Sequence, residues 1–242
     1  MVAIPSRIDP TLEAADRALE IIEKRKPRRT YLGMSAIGHP CARKLWFDYH
    51  RPGSGAAFDA ITLKRFADGH ASEDVMANRL RLVPGLTLLT IDPETGRQFG
   101  FSDLDDRFKG HMDGAILGLI QAPKTWHVWE GKCTNEKKFQ KLASLKESLG
   151  EKSALKEWDE TYYAQAILYM HFSGMDRHYL TVCTPGARDW ISCRTEADPA
   201  FAIQSIEKAR RILDARVPLA KISNDPAWFQ CRFCDHKEQC HA

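Results

Sequence analysis

Residues 127–133, HVWEGKC, begin as an apolar strand and end on an acid and a base two positions apart. Side chains alternate faces along a strand, so Glu130 and Lys132 share one face. A strand packed into a core normally gives that face to apolar side chains. An acid and a base there, straight after Val128 and Trp129, make either an ion pair or a site. Upstream, GHMDGAI carries Asp113 on a candidate strand edged by glycines. If that strand lies beside HVWEGKC, Asp113 and Glu130 converge. Two carboxylates held close repel unless a divalent cation sits between them.

The rest of the chain alternates between helical and strand texture. Its 242 residues, 43% apolar, are enough for one substantial core with an appended subdomain. TLEAADRALEIIEKRK (11–26) puts Leu12, Ala15, Leu19 and Ile22 on one helical stripe, closed by Pro27. Helical spacing resumes after Pro40. A helix from about Phe58 to Leu80 carries the stripe Thr62, Phe66, Gly69, Glu73, Met76, Leu80. Glu73 thus falls on the face expected to be buried, where a carboxylate needs a partner. His70, one turn earlier, is a lesser candidate. LTLLTID reads as a strand, RQFGFSDLDDRFKGHMDGAILGLI as two more, and TWHVWEGKC follows. NEKKFQKLASLKESLG is a basic helix, and SALKEWDETYYAQAILYMHFSG reads as one long helix. On that helix Leu155, Trp158, Tyr162, Gln165, Tyr169 and Phe172 share a stripe, so Gln165 and Tyr169 lie one turn apart on one face. They either pack the core with satisfied polar tips or present an amide and a phenol that can orient the lysine. HYLTVCT and DWISCRT flank a PGA turn as a hairpin, and Asp198 and Pro199 start a last long helix. The sum is α/β, a central mixed sheet with helices around it.

Net charge is only +3, so total charge does not single out nucleic acid as a partner. Locally, Lys24 to Arg29 holds five basic residues in six positions, either a solvated helix end or a phosphate-contacting patch. No apolar run is long enough to span a membrane, and MVAIPSRIDP lacks the apolar core of a signal peptide. A cytoplasmic protein is expected, its seven cysteines reduced. Cys231, Cys234 and Cys240 form a C-x2-C-x5-C pattern, which points to a metal with a fourth ligand elsewhere. Cys41 is the first choice, with His236, His241 and His39 as rivals. Cys133, Cys183 and Cys193 lie in strand-like segments and read as small core residues.

Four short stretches occur in a telling order: GHASE (69–73), GHMDG (110–114), EGK (130–132) and QAILY (165–169). This order resembles the PD-(D/E)XK nuclease superfamily, in particular its RecB-like branch with CRISPR-associated and phage exonucleases. The resemblance covers roughly residues 35 to 242. It implies a restriction-endonuclease-like core and a metal-dependent deoxyribonuclease, an exonuclease acting in recombination, repair or phage DNA metabolism. Glu73, Asp113, Glu130 and the Gly131 carbonyl would bind Mg²⁺ or Mn²⁺. Lys132 would assist the attacking water, and Gln165 and Tyr169 would contact or orient substrate. The partner would be DNA, single-stranded or with free ends, in a bacterial host cell if the gene is phage-borne. The implied cofactor at Cys41, Cys231, Cys234 and Cys240 is a [4Fe–4S] cluster, with Zn²⁺ the alternative. Residues 1–57 would be an N-terminal helical segment, 58–222 the nuclease core and 223–242 a cysteine tail packing with Cys41. Two departures stand out: Glu73 where many relatives carry His, and Gly131 where a bulky apolar residue is commoner. A non-catalytic DNA-binding or assembly module, and a metal-tail scaffold for protein partners, are the competing functions.

Overall fold

The structure, a computed structural model, describes residues 9–242; most of the MVAIPSRIDP stretch lies outside the described residues. Two mixed sheets stand where one central sheet is expected. Strands β1 (Leu32–Gly33), β3 (Gly100–Asp103) and β4 (Phe108–His111) form one sheet in the order β1-β4-β3. Strands β2 (Thr87–Leu89), β5 (Gly114–Leu117), β6 (His127–Cys133), β7 (Arg177–Cys183) and β8 (Trp190–Glu196) form the other, in the order β2-β5-β6-β7-β8. The division falls at Met112–Asp113, where the chain leaves β4 and bends before β5. The expected two strands across residues 97–120 are therefore three. Asp113 sits at the bend between the two sheets rather than on a strand.

In the five-stranded sheet, β5 runs antiparallel to β6, β6 parallel to β7, and β7 antiparallel to β8 as the expected hairpin. Helix α3 (Ala60–Leu80) covers one face, burying Met76, Ala77 and Leu80 against Leu88, Ile116 and Trp129. Helices α4 (Glu136–Leu149), α5 (Glu151–Trp158) and α6 (Glu160–Ser173) cover the other, where Leu142, Leu155 and Leu168 belong to the core that includes Val128, Leu180 and Val182. Each such fully buried aliphatic side chain is worth about 1.5–3 kcal/mol over its exposed state. On α3 the sequence stripe holds only for its second half, since Phe66 is exposed and stacks edge-on against Phe58.

The long helix expected across residues 153–174 is broken. Asp159 is extended (φ −158°, ψ 107°), and its carboxylate accepts from the Tyr162 amide (3.0 Å) and from Lys138 (2.6 Å). An aspartate that caps the following turn competes with helix continuation, which a stripe of apolar residues does not reveal. Gly150 (φ 80°) separates α4 from α5, a conformation costly for any residue with a Cβ.

Helix α1 (Pro10–Arg25) rests on α3 through Asp16–Lys64 (2.5 Å) and the Ala60 amide on Glu20 (3.0 Å). Its stripe residues Leu12, Leu19 and Ile22 are exposed. Helix α2 (Ala42–His50) packs on α7 (Pro199–Asp214), where the Trp46 indole donates to the Ala215 carbonyl (2.7 Å). Residues before position 57 therefore supply a strand and core side chains such as Met34, Leu45 and Phe47, as well as helices. The chain ends in two short helices, α8 (Phe229–Arg232) and α9 (Lys237–His241). This tail is stitched to the loop after α2: the Ala56 amide donates to the Asp235 carbonyl (3.1 Å), and Gln239 donates to the Ser54 carbonyl (2.5 Å). Among the described residues no helix is long and apolar enough to cross a membrane.

Candidate functional site

The apolar run of β6 buries Val128 and Trp129 on opposite faces and carries Glu130 into the interior with them. Glu130 is 3% exposed. Its Oε1 accepts from Gln165 of α6 (2.6 Å) and from Lys132 on the same strand face; its Oε2 is buried with no partner among the described residues. The Lys132 ammonium also lies 3.8 Å from Asp113. Asp113 reaches β6 from the bend between the sheets, and its Oδ2 accepts from the Gly131 amide (3.0 Å). The β5–β6 pairing of Gly114 with Trp129 fixes that approach. Glu73 comes from the opposite face on α3, half-buried, with exposed His70 3.7 Å away.

Gly131 is what lets α3 approach. A Cβ there would lie 3.1 Å from the Met76 methyl and 3.2 Å from Glu73 Cγ. Gly131→Ala is expected to cost about 1 kcal/mol of stability. Thermal unfolding of wild type and variant checks this; an unchanged melting temperature would show that α3 yields at Met76 and Glu73 without cost.

Electrostatically the cluster is short of positive charge, with three carboxyls facing one ammonium. Burial first, then the Asp113 charge, pushes the Glu130 carboxyl up to about 8 against the pull of Lys132. Burial and Asp113 raise Glu73 as well. Burial opposes the Lys132 charge, but Glu130 and Asp113 outweigh it and hold the ammonium well above the usual lysine range. Tyr169 is 2% exposed, its hydroxyl raised by burial and then by Glu130. Gln165 and Tyr169 therefore face Glu130 inside the fold, and neither presents itself to a ligand at the surface. Asp113, Glu130, Lys132, Gln165 and Tyr169 come together, with Glu73 at the rim.

Sequence reasoning passed over two neighbours. Thr181 on β7 donates to the Glu130 carbonyl (3.3 Å) and accepts from the Trp129 indole (3.0 Å), locking the strand at the acid. Asp159 holds Lys138, so of the basic NEKKFQK segment Lys138 is bound internally, as is Lys141, which donates to the Glu157 and Trp158 carbonyls. The parallel register of β6 and β7 carries the first signal, and periodicity does not show it.

Cys41, Cys231, Cys234 and Cys240 line one cavity between α2 and the tail. The Arg43 guanidinium donates to Cys240 Sγ (3.2 Å) and the Lys44 amide to Cys41 Sγ (3.4 Å). Of the rival histidines, His236 has both ring nitrogens engaged, one with Asp48 (2.7 Å) and one with Ser54 (3.4 Å). His39 Nδ1 accepts from the Cys41 amide (3.1 Å). His241 lines the cavity with Nε2 buried and unpartnered. Cys183 and Cys193 are buried in the core; Cys133 is half-buried opposite Cys183 across β6 and β7. Among the described residues no three His, Cys, Asp or Glu side chains close around one point tightly enough to cage a metal ion.

No family model and no curated protein sequence matches the chain. Solved structures do. LHK-Exo in complex with dAMP is 14% identical and superposes with a TM-score of 0.51, over 83% of this chain and 90% of that one. The alkaline exonuclease LHK-Exo from Laribacter hongkongensis, solved separately, gives 0.49 at 14% identity over 81% and 90%. A phage-related exonuclease from Haemophilus somnus gives 0.46 at 11% identity over 71% and 77%. The chain thus has the mixed α/β fold of LHK-Exo.

Proposed function

We propose that the protein is a divalent-metal-dependent DNA nuclease, an exonuclease of the RecB-like PD-(D/E)XK type. The observation that carries this is the carboxyl cluster: Asp113 and buried Glu130 on Lys132, half-buried Glu73 at the rim, and Glu130 Oε2 without a partner among the described residues. A hydrogen-bonded structural ion pair would not leave a carboxylate oxygen orphaned beside two further acids. The donor set is all oxygen, which suits Mg²⁺ or Mn²⁺. The three carboxylates, joined by the Gly131 carbonyl, would hold the ion. Bound there, it supplies Lewis acidity toward a phosphate oxygen and lowers the pKa of a bound water.

The remaining roles belong to the chain itself. Gln165 fixes the Glu130 rotamer by donating to Oε1, and Tyr169 backs it from α6 as a buried, protonated phenol. Lys132, permanently charged, holds the attacking water or meets the charge developing on the phosphate. Lys132→Ala should lower the single-turnover rate by roughly 10²–10³-fold while DNA affinity stays near wild type. Normal single-turnover chemistry with weakened binding would make Lys132 a docking residue. The fold shared with an exonuclease that was solved with a deoxynucleoside monophosphate supports DNA as the substrate.

At the cysteine site we assign Cys41, Cys231, Cys234 and Cys240 to a [4Fe–4S] cluster, with Zn²⁺ the alternative. A lone zinc draws its thiolates to about 2.3 Å from one centre. The four cysteines that line one cavity, with Arg43 donating to Cys240 and the Lys44 amide to Cys41, support one shared metal centre. Digestion of end-labelled linear and circular DNA, single- and double-stranded, with Mg²⁺ or Mn²⁺ tests the function. Absence of cleavage on all four substrates would leave the protein a binding module on a nuclease fold.

A further inference from the structure

Beyond α1 the chain runs through Pro27, Arg28, Arg29 and Tyr31 along a groove of about 580 Å³. The far wall is α2 and the 52–58 loop, which contribute Tyr49 and Phe58. Acids line it too, yet they are already engaged. Glu20 accepts from the Ala60 amide, Glu23 pairs with Lys26 (2.6 Å), Asp48 pairs with Lys44 (2.8 Å), and Asp235 stands 4.0 Å from Lys44. Among the described residues Lys24, Arg28 and Arg29 have no carboxylate partner. Arg28 donates to the Pro52 carbonyl (2.6 Å), and the Arg29 guanidinium lies over the Tyr31 ring at 5.1 Å. Three cations therefore lack an ion-pair partner in a lining of five Lys/Arg against four Asp/Glu, with Arg29 over Tyr31 and Phe58 45% exposed.

We propose that this groove binds single-stranded nucleic acid, with phosphates against Lys24, Arg28 and Arg29 and bases stacked on Tyr31, Tyr49 and Phe58. Aromatic rings gain from a nucleic acid only where base faces are free, which a duplex denies them. Cations without carboxylate partners bind phosphate by releasing its counterions. Gly33 and Ala36 also line it, and Met34 between them is fully buried, lying with Tyr169 close to Gly110. The choice of nucleic acid as ligand rests on the nuclease assignment; the groove and its charges do not.

The test is fluorescence anisotropy of labelled oligo(dT) with the whole protein, Mg²⁺ and Mn²⁺ withheld, over a salt series. Lys24→Glu with Arg29→Glu changes exposed side chains, and its fold is checked by thermal melting. It should weaken binding at least tenfold and flatten the log–log salt slope by about 1.4, two phosphates at ~0.7 each. Phe58→Ala should weaken oligo(dT) severalfold while leaving the slope unchanged. Wild-type affinity and slope in the charge-reversal variant would overturn the proposal. So would displacement of oligo(dT) by poly-glutamate at lower concentration than by unlabelled oligo(dT), which would make the groove a dock for an acidic protein segment. Cleavage by the same wild-type preparation with Mn²⁺ is scored separately. Groove-dependent binding without cleavage would sustain the groove and remove the catalytic assignment.

Discussion

Asp113→Asn should abolish DNA cleavage, by at least about 10³-fold, and yet make the metal-free protein harder to unfold at pH 8. The first effect follows from losing a ligand charge at the orphaned Glu130. The second follows from the same repulsion that a metal would relieve. Glu130 titrates near 8 in the fold, held up by burial and then by Asp113, against an ordinary value of 4.5. A carboxyl whose folded pKa is raised stabilises the protein below its unfolded pKa, and that stabilisation is lost as pH climbs through the folded value. Between about pH 4.5 and 8 the metal-free wild type should therefore lose stability. The substituted amide would keep an oxygen to accept from the Gly131 N–H and would lift the charge that opposes Glu130. The variant's melting temperature should fall less over that range and should no longer rise on adding Mn²⁺. Undiminished cleavage with Mn²⁺ would sink the acid assignment, and a melting curve with the wild-type pH dependence would show that Asp113 does not press on Glu130.

Cys41→Ser should behave like Cys234→Ser, with metal lost, the melting temperature lowered and both chain ends cleaved more readily by protease. The thiols sit in α2's N-cap and in the tail, nearly 200 residues apart in the chain, and they line one cavity. Closing so long a loop costs only logarithmically more than a short one, and metal–thiolate bonds offset it. If the clasp contributes ~4 kcal/mol, the melting temperature should drop by roughly 8–16 °C for a domain of this size. Anaerobically purified wild type should be brown and contain iron. Colourless protein with stoichiometric zinc would change the cofactor and keep the clasp. Full metal retention in Cys41→Ser, with loss in Cys234→Ser, would hand the fourth position to His241, whose Nε2 is buried and unpartnered beside the thiols. His236 is the weaker substitute, since Asp48 and Ser54 already engage its ring.

Much of the candidate cluster was legible because strand alternation and helix periodicity are local rules. Glu130 and Lys132 fall on one face by counting, and Gln165 and Tyr169 by a helical turn. The α/β class followed from the alternation of textures. What escaped depends on competition or on distance. The break at Asp159 is decided by a side chain that prefers capping Tyr162 to continuing a helix. The division into two sheets is decided by which neighbours β4 and β5 find after the bend at Asp113. The exposure of Phe66 was hidden by a stripe that runs on past the end of the covered surface. Thr181 became visible only through the register of two strands some fifty residues apart.

That register has a kinetic consequence. β5 with β6, and β7 with β8, are antiparallel neighbours in sequence and can pair early. The seam between the two pairs is parallel and closes only after α4, α5 and α6 have carried the chain back across the sheet. Parallel pairing across so long a connection is slow, because the chain gives up entropy before the contacts form. Glu130 and Lys132 lie on that seam, and α6, which brings Gln165 to them, is part of the crossover that closes it. A nascent or partly refolded chain would thus carry its carboxylates unassembled, and the proposed hydrolytic competence would be among the last properties it acquires.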